Sequence, residues 1–129
     1  MSIFDFMKFL ILFSISLCLT SCYQNTRNCS DFKTGKFTAK VTINDKVYTS
    51  IFTRTETLQI ENYQDKVDSS EVRWINDCEV IFKTIHPKNR IEKKDIHLKI
   101  LSTTDSSYTY EYSYVGETKK QKGVALKLE

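Results

Sequence analysis

From residue 36 onward, apolar and polar positions alternate with a period of two. That is the pattern of strands with one buried face. Residues 36–43 put Phe37, Ala39, Val41 and Ile43 on one side and Thr38, Lys40 and Thr42 on the other. Asn44-Asp45 follows as a turn signal. Residues 47–61 are rich in β-branched side chains, among them Ile51, Thr53, Thr55 and Thr57. The run is longer than a usual strand, which predicts a bend or bulge near Arg54. Residues 62–70 read as a polar loop. Residues 72–85 align Val72, Trp74, Cys78, Val80 and Phe82 on one face. The charged connection 86–94 carries the only proline, Pro87, and has room for one helical turn but no core helix. Residues 95–102 alternate through Ile96, Leu98 and Ile100. After a turn at 103–106, residues 107–115 place a tyrosine at 108, 110, 112 and 114. Residues 116–120 turn the chain back, and 122–128 align Val124, Leu126 and Leu128. About six strands with short connections, no repeat and no linker predict an all-β domain. The expected architecture is an antiparallel meander curled into a lipocalin-like barrel or a sandwich.

The N-terminus follows a different pattern. Residues 9–19 form an apolar run too short for a transmembrane helix, which needs about 20 residues, and Lys8 precedes it. This is the layout of a signal peptide, although Asp5 is untypical of one. Leu19-Thr20-Ser21-Cys22 then matches a bacterial lipobox. Cleavage before Cys22 would expose a thiol for lipid attachment, and two or more acyl chains anchor a protein stably. The alternative is an ordinary secretory signal with a chance cysteine. The domain plan is a signal peptide at 1–21, a lipidated cysteine and tether at 22–28, and a single β domain at 29–129.

Cysteine count then bears on stability. Cys18 leaves with the leader and Cys22 takes the lipid, so Cys29 and Cys78 remain as a pair in an oxidising compartment. A Cys29–Cys78 disulfide is the natural expectation; separate buried thiols or a metal site are the alternatives. Only His86 and His97 are available to complete a zinc site, and neither is spaced as a ligand. Neither a metal nor a cofactor is expected. The net charge of +3 is unchanged once the leader is removed and selects no partner by itself. With the expected compartment, it argues against nucleic acid.

Several segments resemble the small envelope lipoproteins of Bacteroidota. These are Cys29-Ser30-Asp31-Phe32-Lys33-Thr34-Gly35-Lys36-Phe37, Arg54-Thr55-Glu56-Thr57-Leu58-Gln59-Ile60-Glu61, Val72-Arg73-Trp74-Ile75-Asn76-Asp77-Cys78-Glu79 and Tyr110-Glu111-Tyr112. That group has no established biochemical role, and its members sometimes carry a transferred topoisomerase label. This chain is far too short for a strand-passing enzyme. The resemblance implies a β-rich, lipocalin-like envelope domain and supplies no catalytic residues. Surface-exported lipoproteins of that phylum often have an acidic patch after the lipidated cysteine. Tyr23-Gln24-Asn25-Thr26-Arg27 has no acid, which favours the outer membrane's periplasmic face.

Candidate chemistry is sparse. Tyr108, Tyr110, Tyr112 and Tyr114 share one side of a strand, opposite Thr109, Glu111 and Ser113. Four such rings can stack on a ligand and offer it hydroxyls. A barrel mouth lined this way suits a small amphipathic molecule; otherwise the rings fill a core or cover a sheet face. Arg54 and Glu56 share the face of Phe52 and Leu58 if the strand stays regular. They would then fix a polar head group or form a salt bridge at a rim. Trp74 and Cys78 fall on a core face. Lys93-Lys94 and Lys119-Lys120-Gln121-Lys122 would either meet lipid phosphates or anionic polysaccharide, or simply solvate turns. There is no G-x-S-x-G elbow, three glycines leave no phosphate loop, and His97 sits on the polar side of its strand. The expected function is a non-catalytic, lipid-anchored binding module for a small amphipathic ligand. The alternative is a module that binds or inhibits an envelope protein.

Overall fold

The computed structural model describes residues 2–18 and 27–129, so Cys22 lies outside the described residues. An apolar helix, α1 (Ile3–Cys18), occupies the N-terminal segment. No helix among the described residues is long and apolar enough to cross a membrane.

The remainder is an all-β domain of eight antiparallel strands in chain order. They are β1 (Gly35–Ile43), β2 (Lys46–Arg54), β3 (Leu58–Tyr63), β4 (Lys66–Asn76), β5 (Glu79–Thr84), β6 (Ile96–Thr103), β7 (Ser107–Tyr114) and β8 (Gln121–Lys127). Each pairs with the next, and β8 pairs back onto β1, which closes a barrel and leaves no free sheet edge among the described residues.

Eight strands stand where about six were expected, because two long runs each fold back. The run at 47–61 does not bend at Arg54 but reverses just after it. There the Thr55 N–H donates to the Leu58 carbonyl at 2.8 Å, and the Leu58 N–H donates to the Thr55 hydroxyl at 3.1 Å. The run at 72–85 reverses where the Cys78 N–H donates to the Asn76 side-chain oxygen at 2.9 Å, an Asx-type turn. Residues 62–70 are not a loop; they end β3, turn at Gln64-Asp65 and begin β4. Gln64 and Asp65 have φ of 47° and 63°, close to the 50° and 64° of Asn44 and Asp45. Two positive φ values in a two-residue loop match the right-handed twist of the strands they join. Glutamine is not a turn signal, so only the first of these hairpins was visible in the sequence.

The barrel has two unlike ends. At one, a short 3-10 helix (Cys29–Phe32) covers the opening. Phe32 is 1 % exposed, and its ring lies 5.3 Å from that of Tyr108. The Cys29–Cys78 disulfide ties this cap to the β4–β5 turn. Arg27 Nη1 donates to the Ile100 carbonyl at 2.8 Å, the Asn28 N–H to Thr103 Oγ1 at 2.9 Å, and Lys127 Nζ to the Asp31 carbonyl at 2.7 Å. Inside this end Phe37, Phe52, Val80, Phe82, Leu98, Ile100 and Tyr108 form the packed core. The other end is bordered by the 44–45 and 64–65 turns and the longer connections at 85–95 and 115–120.

The faces of β8 are the reverse of the expected ones. Val124, Leu126 and Leu128 are exposed on the outside, and Gly123 and Ala125 face the lumen. The register gives the reason, since Gly123 lies opposite Tyr110 and Ala125 opposite Tyr108. Large rings on β7 occupy the volume, so small residues on β8 make room for them.

Candidate functional site

Arg54 ends β2 with its side chain turned inward, and it is only 2 % exposed. Its Nε donates to Gln59 Oε1 at 2.8 Å, Nη1 to the Phe32 carbonyl at 3.1 Å and Nη2 to the Tyr108 hydroxyl at 3.1 Å. The rings of Phe52, Phe82, Phe37 and Trp74 lie 5.0 to 5.7 Å from its Cζ. Planar, weakly hydrated guanidinium suits such a cage better than an ammonium group does. The cage also holds a charge for which no carboxylate lies within ion-pair distance among the described residues. The expected Arg54–Glu56 pair does not form, because the chain turns at 55–57 and leaves Glu56 exposed on the surface.

Above this floor the barrel is hollow. A cavity of about 390 Å3 runs up to the open end. Its wall includes Ala39 and Val41 from β1, Ser50 and Phe52 from β2, and Tyr110, Tyr112 and Tyr114 from β7. The four tyrosines therefore split by depth. Tyr108 is core, bonded to Arg54. Tyr110 is buried against the wall, while Tyr112 and Tyr114 are half-buried nearer the mouth. Adjacent ring centroids from Tyr108 to Tyr112 are 5.6 and 6.0 Å apart. Burial pushes the Tyr110 and Tyr112 hydroxyls above the ordinary tyrosine range, with Glu61 and neighbouring tyrosines adding to the shift. Both stay neutral at physiological pH and remain able to donate or accept a hydrogen bond.

Glu61 is a site residue that the pattern of the chain does not single out. It projects into the cavity from β3, half-buried, directly across the ladder from Asp68 of β4. Among the described residues its carboxylate has neither a hydrogen bond nor a salt bridge. Burial raises its pKa above the usual carboxylate value and Asp68 raises it further, against a smaller opposing pull from Arg54. The period-two signal through Gln59, Glu61 and Tyr63 was present, but it broke off where a loop was expected to start.

The other candidates lie apart from the cavity or at its rim. Trp74 packs against the core, with its Nε1 buried and lacking a partner among the described residues. His97 Nε2 lies 3.1 Å from Glu79 Oε1 on the outer wall. Lys94 reaches Glu117 at 3.3 Å and Lys120 reaches Glu111 at 3.2 Å, so each basic cluster has one member engaged in an exposed pair. Compared with known protein families, curated proteins and solved structures, the chain has no match.

Proposed function

We propose that this protein is a non-catalytic binding module that holds a small amphipathic molecule in its barrel. We propose further that it is anchored in the bacterial cell envelope through lipid on Cys22, in the manner of the small Bacteroidota lipoproteins it resembles. The observation that carries the binding role is the division of the barrel, packed below Arg54 and open above it. A domain built only for stability gains from filling its interior, since empty apolar volume forfeits packing. Here the wall is polar and aromatic in turn, with hydroxyls of Tyr110, Tyr112 and Ser50 beside Ala39, Val41 and Phe52. Ligand sites combine an apolar lining with a few convergent polar groups in the same way.

A second role, as a module that binds an envelope protein, draws support from the outer wall. Ile51 and Leu126 flank Thr38 on the outside of adjacent strands, and both are exposed. The cavity favours the first role.

Native mass spectrometry of the protein purified from its own host tests the binding role. The expected result is a co-purifying small molecule that Tyr112→Ala fails to retain. A barrel that emerges empty, and that small amphipathic molecules do not stabilise against heat, overturns the proposal. The anchor is tested separately by fractionating cells that carry Cys22→Ser. A variant that still sediments with membranes as the wild type does overturns that part.

A further inference from the structure

Most charged groups around the cavity already have partners. Lys66 lies 3.5 Å from Glu92 and 4.0 Å from Asp68. Lys94 is paired with Glu117, and its Nζ lies 5.2 Å from the centroid of the Tyr114 ring. Arg54 borders the lumen only at its floor, bonded on three nitrogens and enclosed by four rings. That leaves Glu61 as the charged group that faces the cavity with no partner among the described residues. An ionised carboxylate held away from bulk water without a counter-charge is costly. A cation in the lumen would remove that cost.

The surrounding rings favour the same charge. Tyrosine faces attract cations, and more strongly when both are shielded from water. The rim shows this use twice, with Lys94 over Tyr114 and Lys46 Nζ 5.5 Å from the centroid of Tyr48. An anionic head would pass Lys66 and Lys94 at the mouth, each already paired with a carboxylate, and would then meet Glu61, with Arg54 committed below.

Resting on the binding role proposed above, we infer that the lumen is selective for an organic cation. Its ammonium head sits against Glu61 between Tyr110 and Tyr112, and its apolar body lies along Ala39, Val41 and Phe52. At about 30 Å3 per water-sized volume, the cavity of about 390 Å3 admits a molecule of roughly ten to fifteen non-hydrogen atoms.

Three probes with one four-methylene phenyl body and different heads test this: phenylbutylamine, phenylbutanol and phenylpentanoate. Each is titrated calorimetrically into the full chain in nanodiscs near neutral pH, for the wild type and for Glu61→Gln. The expected result is at least tenfold tighter binding of the amine than of the alcohol in the wild type, with the acid weakest. Glu61→Gln should erase the amine's advantage over the alcohol. Added salt should narrow the wild-type gap, because screening weakens the ion pair. Equal binding of all three probes overturns cation selectivity but leaves the binding role standing. Preference for the acid overturns it as well. Failure of all three to bind removes the binding role itself. Should Glu61→Gln not fold, the wild-type salt series still decides, and an amine advantage indifferent to salt overturns the inference.

Discussion

Gly123 and Tyr110 face each other across the β7–β8 ladder, and a Cβ on Gly123 would lie 2.6 Å from both the Cζ and the hydroxyl oxygen of Tyr110. The phenol end of Tyr110 therefore occupies the space that a side chain at 123 would need. A ring held against the wall in this way leaves the centre of the barrel open. Gly123→Ala should push the ring into the lumen and cost about 1–3 kcal/mol as overpacking. Urea unfolding of Gly123→Ala, Tyr110→Ala and the double variant checks it. The alanine penalty should vanish once the ring is gone; strictly additive penalties would show that the two residues do not share this space.

The tyrosines of β7 should separate stability from binding by depth. Tyr108→Ala removes a buried ring and the hydroxyl that accepts from Arg54, so a loss of about 3–5 kcal/mol is expected. Tyr112→Ala, at a half-buried position, should cost about 1 kcal/mol and still weaken retention of a bound molecule. Thermal melts alongside ligand retention distinguish the two. Equal destabilisation by both would mean that the upper barrel is as tightly packed as the lower.

Replacing Arg54 with methionine keeps bulk but leaves the Phe32 carbonyl, the Tyr108 hydroxyl and Gln59 Oε1 without their donor. A buried acceptor left unpaired costs about 1–3 kcal/mol, so Arg54→Met should lower stability by at least about 2 kcal/mol in urea unfolding. Arg54→Lys should not rescue it, because one ammonium cannot reproduce the three-way fork. Full stability in the lysine variant would show that charge alone is what the site needs.

The Cys29–Cys78 bond closes a loop with a sequence separation of 49 residues. Chain-entropy reasoning gives about 4 kcal/mol for a loop of that size. Reduction should lower the urea midpoint accordingly and release the Cys29–Phe32 cap first. Hydrogen exchange is expected to rise earliest at Phe32 and Lys33. Uniform loss of protection across all strands would mean that the cap and barrel unfold as one unit.

Glu61 carries a definite pH dependence. Its pKa in the folded protein is raised by burial and then by Asp68, with Arg54 opposing; Tyr110 and Tyr112 also face it and stay neutral. A carboxyl that holds its proton more tightly when folded favours folding below the ordinary carboxylate range. That contribution is lost as pH rises through the raised value. Above the ordinary carboxylate range the carboxyl therefore works against the fold, so Glu61→Gln should be more stable than wild type at neutral pH. The difference should close as pH falls below about 4. Denaturant midpoints measured across that range check the sign; a variant less stable at neutral pH would mean that Glu61 has a cationic partner in the folded protein.

Alternation alone located most strand positions and named the right lumen residues on β1 and β6, Phe37, Ala39, Leu98 and Ile100. It missed reversals that rest on local hydrogen bonding. Thr55 and Asn76 close their turns with side chains, which a reading by hydrophobic period does not weigh. It misassigned the lumen face of β8 because β8 answers to its neighbour rather than to its own hydrophobicity. The site was half legible. The tyrosine ladder stood out by period, and Arg54 by its odd setting among apolar neighbours. Glu61 was hidden because its importance comes from Asp68, which the β3–β4 hairpin sets opposite it, and from the β7 rings, which only the closed sheet brings near.

Arg27 and Asn28 are fastened to the capped end of the barrel. Five residues from Cys22 to Arg27 reach at most about 18 Å, whereas a strand the length of β1 extends about 30 Å before tilt. With lipid on Cys22, the bilayer would therefore abut the sealed floor and the mouth would open towards the aqueous compartment. Cargo would then be exchanged with solution rather than drawn from the membrane. A soluble donor or acceptor in the same compartment could reach it without approaching the lipid surface.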